Sequence, residues 1–536
     1  MKERSFIAGG ALKALLMYFI VGALTVAASG ADSSDDTLVV AASSSFFMTG
    51  NVLSTGMIPF SSYAYEGLIT KNREGGYDGW LAESWEANDD ASIWTFHLVK
   101  NAKWHDGQPF TSEDVKFTHD YLKQKKLWLS SVISKVDHVE CPDENTAIFY
   151  LKTPFPAFLD SLSHCPGVGI IPKHIWEAVD DPDHYADDKF IGTGPFKFDN
   201  VIQDQYVKLV ANEDYHGEKP QVKEVILKII TNKDSQILSL RSGEIDVVSD
   251  ISPAISKSLS GTDDIMISVV PDTKGYELGF QLNNSPTDNI EFRKAMAHAI
   301  NRERICQIVF DEYAHPTLTT FLMPTVAQDF VNTDVPGDDY DYDLDKAREM
   351  LESAGFADRN GDGWREGPNG EKLNLILIIQ GNGADASGRI AEVLKEECKQ
   401  IGLDITIKLA ESEQYTEERR HSNFFITGMP YLMHDDADDL SHFECNSYFG
   451  QKNWYDFNNS RYNELTTKLR STADREERKQ IGYELQEILA QEVPSVPICS
   501  ADVIFAYKSN RFTGWEKESP GYWGVDTRML LNLERA

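Results

Sequence analysis

The sequence predicts an α/β protein of two lobes, the first carrying an inserted subdomain. Three observations carry that prediction. The chain has 536 residues, 41% of them hydrophobic, enough for two or three lobes with cores of their own. Between Leu373 and Leu409 an apolar run, a helical pattern and a second apolar run make a βαβ unit. From Trp80 to Phe110, a stretch holding four of the ten Trp residues opens a strand-rich segment that closes at the turn Gly192-Thr-Gly194-Pro.

The first residues stand apart. Lys2 and Arg4 give a positive start, Ala14 to Ala28 is almost unbroken apolar chain, and Ser29-Gly-Ala31 offers small residues for cleavage, so residues 1–31 read as a signal peptide. An uncleaved anchor is the second reading, although a spanning helix needs about 20 apolar residues. The first cysteine is Cys141, which excludes a lipobox anchor.

Thr37 to Ala42 is β-branched and apolar and reads as the first strand of the mature chain. Ile93 to Leu98 alternates as a strand with one buried face, after a turn at Asn88-Asp89-Asp90, so this region is expected to be a hairpin. Thr111-Ser-Glu-Asp114 is a helix start with acids in its first turn, leading into a helix through Leu122. Strands are expected at Ser134–Glu140 and Thr146–Leu151. In Gly192-Thr-Gly194-Pro, glycine would supply positive backbone angles and proline the exit. Tyr206–Val210, Val222–Ile230 and Ile245–Val248 read as strands of the first lobe, with a helix at Ser235–Arg241. Lys274 to Asn283 alternates again; Glu291–Asn301 and Asp343–Ala354 are helices, the latter closed by Gly355.

Several segments, in order, resemble one family. They are Tyr65-Glu-Gly-Leu68, Leu81-Ala-Glu-Ser-Trp85, Trp94-Thr-Phe-His-Leu98 and Lys103-Trp-His-Asp-Gly-Gln-Pro-Phe-Thr-Ser-Glu-Asp-Val115. Gly192-Thr-Gly-Pro-Phe196, Asn212-Glu-Asp-Tyr-His-Gly-Glu-Lys-Pro220, Gly243-Glu-Ile-Asp246, Phe292-Arg-Lys-Ala-Met-Ala-His-Ala-Ile-Asn301 and Tyr342-Asp-Leu-Asp-Lys-Ala347 follow. Together they resemble the extracytoplasmic solute-binding proteins of the peptide/nickel ABC-importer family. The resemblance implies the two-lobed type II periplasmic-binding-protein fold, with residues 37–70, 192–274 and 501–536 in the first lobe, 71–191 inserted in it and 275–500 in the second. It implies chain crossings near Lys274 and Ser500, and a ligand delivered to a membrane permease and its ATPase subunits. The protein is expected to be an extracytoplasmic monomer, to use no cofactor and to perform no chemistry on its ligand.

The same resemblance places Phe47 and Met48 after the first strand as cleft-wall residues; packing under a loop is the alternative. It places the segment Gly428 to Cys445 on the cleft from the second lobe, with Tyr431, His434, Asp436 and Asp438 as candidates. Dipeptide binders present an Asp there to the peptide amine within a Gly-Asp-Pro-Asp type pattern. Here Asp436-Ala-Asp438 keeps two acids without the proline, and the amine-binding position falls near Met433 or His434. Two imidazoles, a thiolate and several carboxylates in this run also suit a nickel, zinc or copper ion, with His434 and His442 as ligands; on a helix their spacing of eight puts them two turns apart. Trp454 offers an aromatic wall, or ordinary packing. Gly381-Asn-Gly383-Ala-Asp-Ala386 fits a dinucleotide GxGxxA fingerprint, but the same turn also puts free N–H groups and Arg389 at a helix start, where a ligand carboxylate could dock. The expected ligand is a di- or oligopeptide, with a nickel-chelate as the alternative.

Charge and motifs exclude other classes. Fifty-one basic against 85 acidic side chains give a net charge of -34, which repels phosphate backbones and anionic lipid headgroups. No GxSxG, HExxH or GxxxxGK[ST] is present, which leaves an exported peptide hydrolase only through residues gathered by the fold. The six cysteines contain no CxxC; Cys141 and Cys165 are closest in sequence, a spacing that does not establish a disulfide. Asp358-Arg-Asn360-Gly-Asp362-Gly363 imitates half an EF-hand loop, but Asn369 stands where a bidentate Glu is required, so an Asx turn is expected instead.

Overall fold

The computed structural model describes residues 36–42, 53, 62–72, 76–127, 133–163, 169–182, 185, 190–317, 322, 327–335, 340–381, 383–430, 437–444, 453–515 and 525–536. Its frame is one 11-stranded mixed sheet. From one edge the strands run Ile405–Ala410, Leu375–Gln380, Phe424–Pro430, then the long strand Ile265–Phe280 and the return strand Ser495–Lys508. Beyond these lie Val247–Val248, Thr37–Ala42, Glu224–Ile229, Tyr206–Ala211 and Phe196–Ile202; Ala314–Pro316 pairs with the return strand off this path. The long and return strands are antiparallel from Ile265↔Lys508 to Gly279↔Ser495, and the register shifts between Val270 and Lys274. The alternating pattern that begins at Lys274 is thus the second half of a strand that starts at Ile265.

Buried apolar residues collect on each side of this crossing. On the first-lobe side Leu38, Val40, Val207, Leu209, Val225 and Trp515 form one cluster. On the other, Leu278, Phe280, Phe292, Met296, Leu375, Ile390 and Phe424 form another. The helix Ala386–Gln400 joins Leu375–Gln380 to its parallel partner Ile405–Ala410, which is the expected βαβ unit. It buries Ile390, Val393, Leu394 and Cys398 on one face.

A separate four-stranded antiparallel sheet carries the Trp-rich stretch: Ala82–Ala87, Ile93–Leu98, Thr146–Leu151 and Val136–Asp143. The hairpin is as expected, with Trp94, Phe96 and Leu98 on its buried face. Thr111 and Asp114 form a capping box at the start of helix Ser112–Lys125. Cys141 carries a free thiol that donates to the Ser112 carbonyl at 3.2 Å; Cys165 lies outside the described residues.

The motif segments meet where this small sheet joins the large one. Buried Glu66 accepts from Tyr215 Oη at 2.7 Å and His216 Nε2 at 2.9 Å. His105 Nε2 donates to the Gly194 carbonyl at 3.0 Å while its Nδ1 accepts from Gly192 N–H at 3.2 Å, and Asn212 donates to the same carbonyl at 3.0 Å. The two glycines serve a different purpose from the one expected. Neither has a positive φ; a Cβ on Gly192 would sit 1.9 Å from the Ala64 carbonyl oxygen, and one on Gly194 2.6 Å from that of Tyr63. Close backbone approach requires them.

At Asp358–Gly363 the expected Asx turns are present: Asp358 accepts from Gly361 and Gly363 N–H at 2.7 and 2.9 Å. Oxygens of Asp358, Asp362 and Glu366 nevertheless lie within 4.8 Å of one another, so Glu366 joins the cluster. Among the described residues no helix is long and apolar enough to cross a membrane.

Two outcomes follow from the junction. Gly192→Ala must displace backbone, and should lower unfolding free energy by about 1–3 kcal/mol in a urea titration. Burial drives the His105 pKa down to about 4, with Lys197 acting in the same direction. The unfolded chain therefore takes up this proton first, near pH 6.5. The His105 contribution to stability is complete above that pH and is lost as pH falls toward about 4. Comparing His105→Asn with the parent across this window should remove that part of the pH slope.

Candidate functional site

Strand direction points to one place for a candidate site. Thr37–Ala42 is parallel to Glu224–Ile229 and to Val247, and Val247–Val248 is antiparallel to the return strand with Val248 opposite Ala506. The carboxyl ends of these strands therefore point toward Ala501 and Lys274. On the other side Phe424–Pro430 is antiparallel to the long strand, with Pro430 opposite Lys274, and parallel to Leu375–Gln380. Its carboxyl end points to the same place. Ligands of open α/β sheets bind outside the carboxyl ends of strands, and here two such sets converge on the crossing.

The candidate residues are placed as follows. Phe47, Met48, Tyr431, His434 and Asp436 lie outside the described residues. In the sequence Phe47 and Met48 follow Thr37–Ala42, and Tyr431, His434 and Asp436 follow Phe424–Pro430. Arg389 is exposed in the first turn of helix Ala386–Gln400, just past the carboxyl end of Leu375–Gln380. Asp385 caps that helix, accepting from Gly388 N–H at 3.0 Å. This carboxylate takes up the helix start, so an anion there would rely on the Arg389 guanidinium.

Asp438 and His442 fall in a short 3-10 segment, Asp438–Phe443, and not in an α-helix, so the two-turn spacing argument does not apply. Asp438 is 7% exposed. Nearby, Glu444 is paired with Arg470. Lys135, in the turn just before strand Val136–Asp143, lies within electrostatic reach of Arg470, Glu444 and Asp438; burial lowers its pKa and Arg470 lowers it further, against the two acids.

Trp454 is half-buried, and its ring lies under the Arg419 guanidinium at 4.6 Å. The same guanidinium sits 5.3 Å from the Phe425 ring and 5.8 Å from Tyr415, and burial pulls its pKa down. The Trp454 carbonyl accepts from Gln281 Nε2 at 2.6 Å, and Tyr455 donates to buried Glu277 of the long strand. Trp454 is therefore fixed from three sides by groups that the periodicity of the sequence does not connect.

Sequence reasoning missed a charged group at the crossing. Lys274 Nζ lies 3.3 Å from Asp250, and Lys233 Nζ donates to the Ser249 carbonyl at 2.8 Å. Burial pushes the Lys233 amine down, Asp250 holds it up, and Lys274 pushes it down again. Asp250 has a φ of 54°. No local motif marks these residues; only the pairing of the two strands brings them together.

Residues 76–450, more than half of the chain, match the family described as bacterial extracellular solute-binding proteins, family 5 Middle. The chain belongs to this family. A putative ABC transporter peptide-binding protein of Brucella ovis is 31% identical to this solute-binding protein over 344 residues, 63% of the chain and 61% of the relative. The chain thus spans about three fifths of the length of that relative. Oligopeptide-binding protein AppA of Bacillus subtilis is 27% identical over 474 residues, covering 85% of the chain and 82% of AppA. Among solved structures, NikZ of Campylobacter jejuni in complex with Ni(L-His) superimposes with a TM-score of 0.79 at 22% identity, over 94% of this chain and all of that one. The fold is that of family 5, a family of binding proteins and not of enzymes, found outside the cytoplasm.

The Tyr455 to Glu277 hydrogen bond joins the candidate wall to the crossing strand. Tyr455→Phe should cost about 1–3 kcal/mol of stability by leaving a buried carboxyl without its phenol donor, measured by guanidinium unfolding followed through tryptophan fluorescence.

Proposed function

We propose that this solute-binding protein captures di- or oligopeptides outside the membrane and delivers them to the permease of an ABC importer, whose ATPase subunits drive transport. The observation that carries this reading is the 27% identity to an oligopeptide-binding protein over 85% of the chain, supported by the named peptide-binding relative in Brucella. Residues 37–70, 192–274 and 501–536 form one jaw and 275–500 the other, and closure at the two crossings buries the ligand. Phe47, Met48, Tyr431 and Trp454 line the walls. Arg389 takes the peptide carboxylate, and of the two candidate acids Asp436 faces the amine, since Asp438 is buried. Backbone hydrogen bonds supply most of the affinity and leave side-chain preference loose.

The alternative is a nickel-chelate held by His434 and His442, favoured by the fold likeness to a protein solved with Ni(L-His). The two readings separate in one experiment. Native mass spectrometry of residues 32–536, purified without chelator and paired with elemental analysis, should release a mass that fragments as peptide. Stoichiometric nickel in the same sample would overturn the peptide reading.

Arg389→Ala should weaken peptide binding about tenfold in isothermal titration without changing the melting temperature of the free protein. Nickel and chelator should both leave that temperature unchanged.

A further inference from the structure

Two cysteines far apart in sequence meet at the crossing. Cys499 lies on the return strand, opposite Tyr276 of the long strand on one side and Pro316 on the other. Cys306 opens a short π-helical turn, Cys306–Phe310, that continues helix Arg302–Ile305. Residues four apart share a helical face, so Cys306 and Phe310 point the same way. The Phe310 ring lies 5.2 Å from that of Tyr276, the strand partner of Cys499. The turn thereby sets the Cys306 thiol beside that of Cys499, within electrostatic reach of it. Both belong to one apolar cluster, at 5% and 0% exposure, and neither is bonded in the structure. Burial raises the Cys499 thiol pKa well above its ordinary value, and the Cys306 thiol adds to that shift.

We propose that Cys306 and Cys499 are a disulfide site that staples the Cys306 turn to the return strand beside the hinge. The oxidant is an external disulfide, R–S–S–R, of the kind found outside the cytoplasm. One cysteine thiolate attacks it, forming a mixed disulfide and expelling one R–S⁻. The second thiolate attacks the protein sulfur of that mixed disulfide, forming the Cys306–Cys499 bond and expelling the second R–S⁻. Two S–H bonds are lost, one S–S bond forms, and two electrons reduce R–S–S–R to two thiols that carry the two protons. Because both sulfurs are covered, the exchange belongs to folding, before the return strand closes over them. The bond would enclose a long loop, the case in which cross-linking constrains the unfolded chain most.

This inference rests on the extracytoplasmic reading only for its supply of oxidant, so its test is run in a defined redox buffer, where neither location nor ligand matters. The reduced, denatured full chain is refolded in oxidised and reduced glutathione, alkylated under denaturing conditions and digested without reductant. The expected result is a Cys306–Cys499 cross-linked peptide that disappears on reduction, while buried Cys398 is recovered alkylated. Refolded parent should also lose melting temperature when reductant is added, a shift absent from Cys306→Ala/Cys499→Ala. Recovery of both Cys306 and Cys499 as alkylated thiols, or of Cys499 joined to another cysteine, would overturn the proposal; the mapping uses the parent chain, so it holds even where the double variant folds poorly.

Discussion

Both lobes hang on one antiparallel ladder, running from Ile265 opposite Lys508 to Gly279 opposite Ser495. Neither strand belongs to one lobe alone. Within the one sheet, Val247–Val248 pairs with the carboxyl-terminal end of the return strand and Phe424–Pro430 with the carboxyl-terminal half of the long strand. Backbone groups in a buried sheet must be paired, so neither lobe can discard these strands. The ladder slips between Val270 and Lys274. Such an irregularity bends and twists a strand locally, and here it falls between two cores that each keep their own contacts.

The family motifs turn out to be anchors of this frame. Asp246 is fully buried, accepts from Val39 N–H at 2.7 Å and pairs with Arg511 at 2.7 Å, so the first strand and the chain's last segment meet on one carboxylate. Burial pushes that carboxyl up, against the Val39 N–H and Arg511. Arg293 is buried and donates to the carbonyls of Glu492 at 2.6 Å, Val493 at 2.9 Å and Thr287 at 3.0 Å, which ends the long helix Arg475–Glu492. Asp343 caps its helix through the N–H groups of Asp345 and Lys346. A buried charge is tolerated only with such partners. These residues therefore report the fold with high specificity and say almost nothing about the ligand.

That division explains what could be read from the chain. Elements whose cause is local were legible: the alternation of Ile93–Leu98, the capping of Ser112 by Thr111, the apolar stripe of Ala386–Gln400. The long strand was caught only from Lys274, because Ile265 to Asp272 carries no clean alternation and is held by its neighbours. Gly192 and Gly194 announced a constraint but not which one, since close approach to Ala64 is a tertiary fact. The clamp of Trp454 by Arg419 and the Lys233, Asp250 and Lys274 group left no trace in spacing, for each joins segments far apart in sequence.

The position of the return strand has a bearing on how such a chain matures. Ser495–Lys508 comes near the end of the sequence, yet it lies inside the sheet and pairs with the long strand, Val247–Val248 and Ala314–Pro316. Arg293, at mid-chain, finds its distant acceptors at Glu492 and Val493. A chain delivered from its amino end therefore emerges with an open slot in each half and a cation awaiting its carbonyls. One segment, the return strand, fills both slots. The join between the two cores is thus completed by a strand from near the end of the chain.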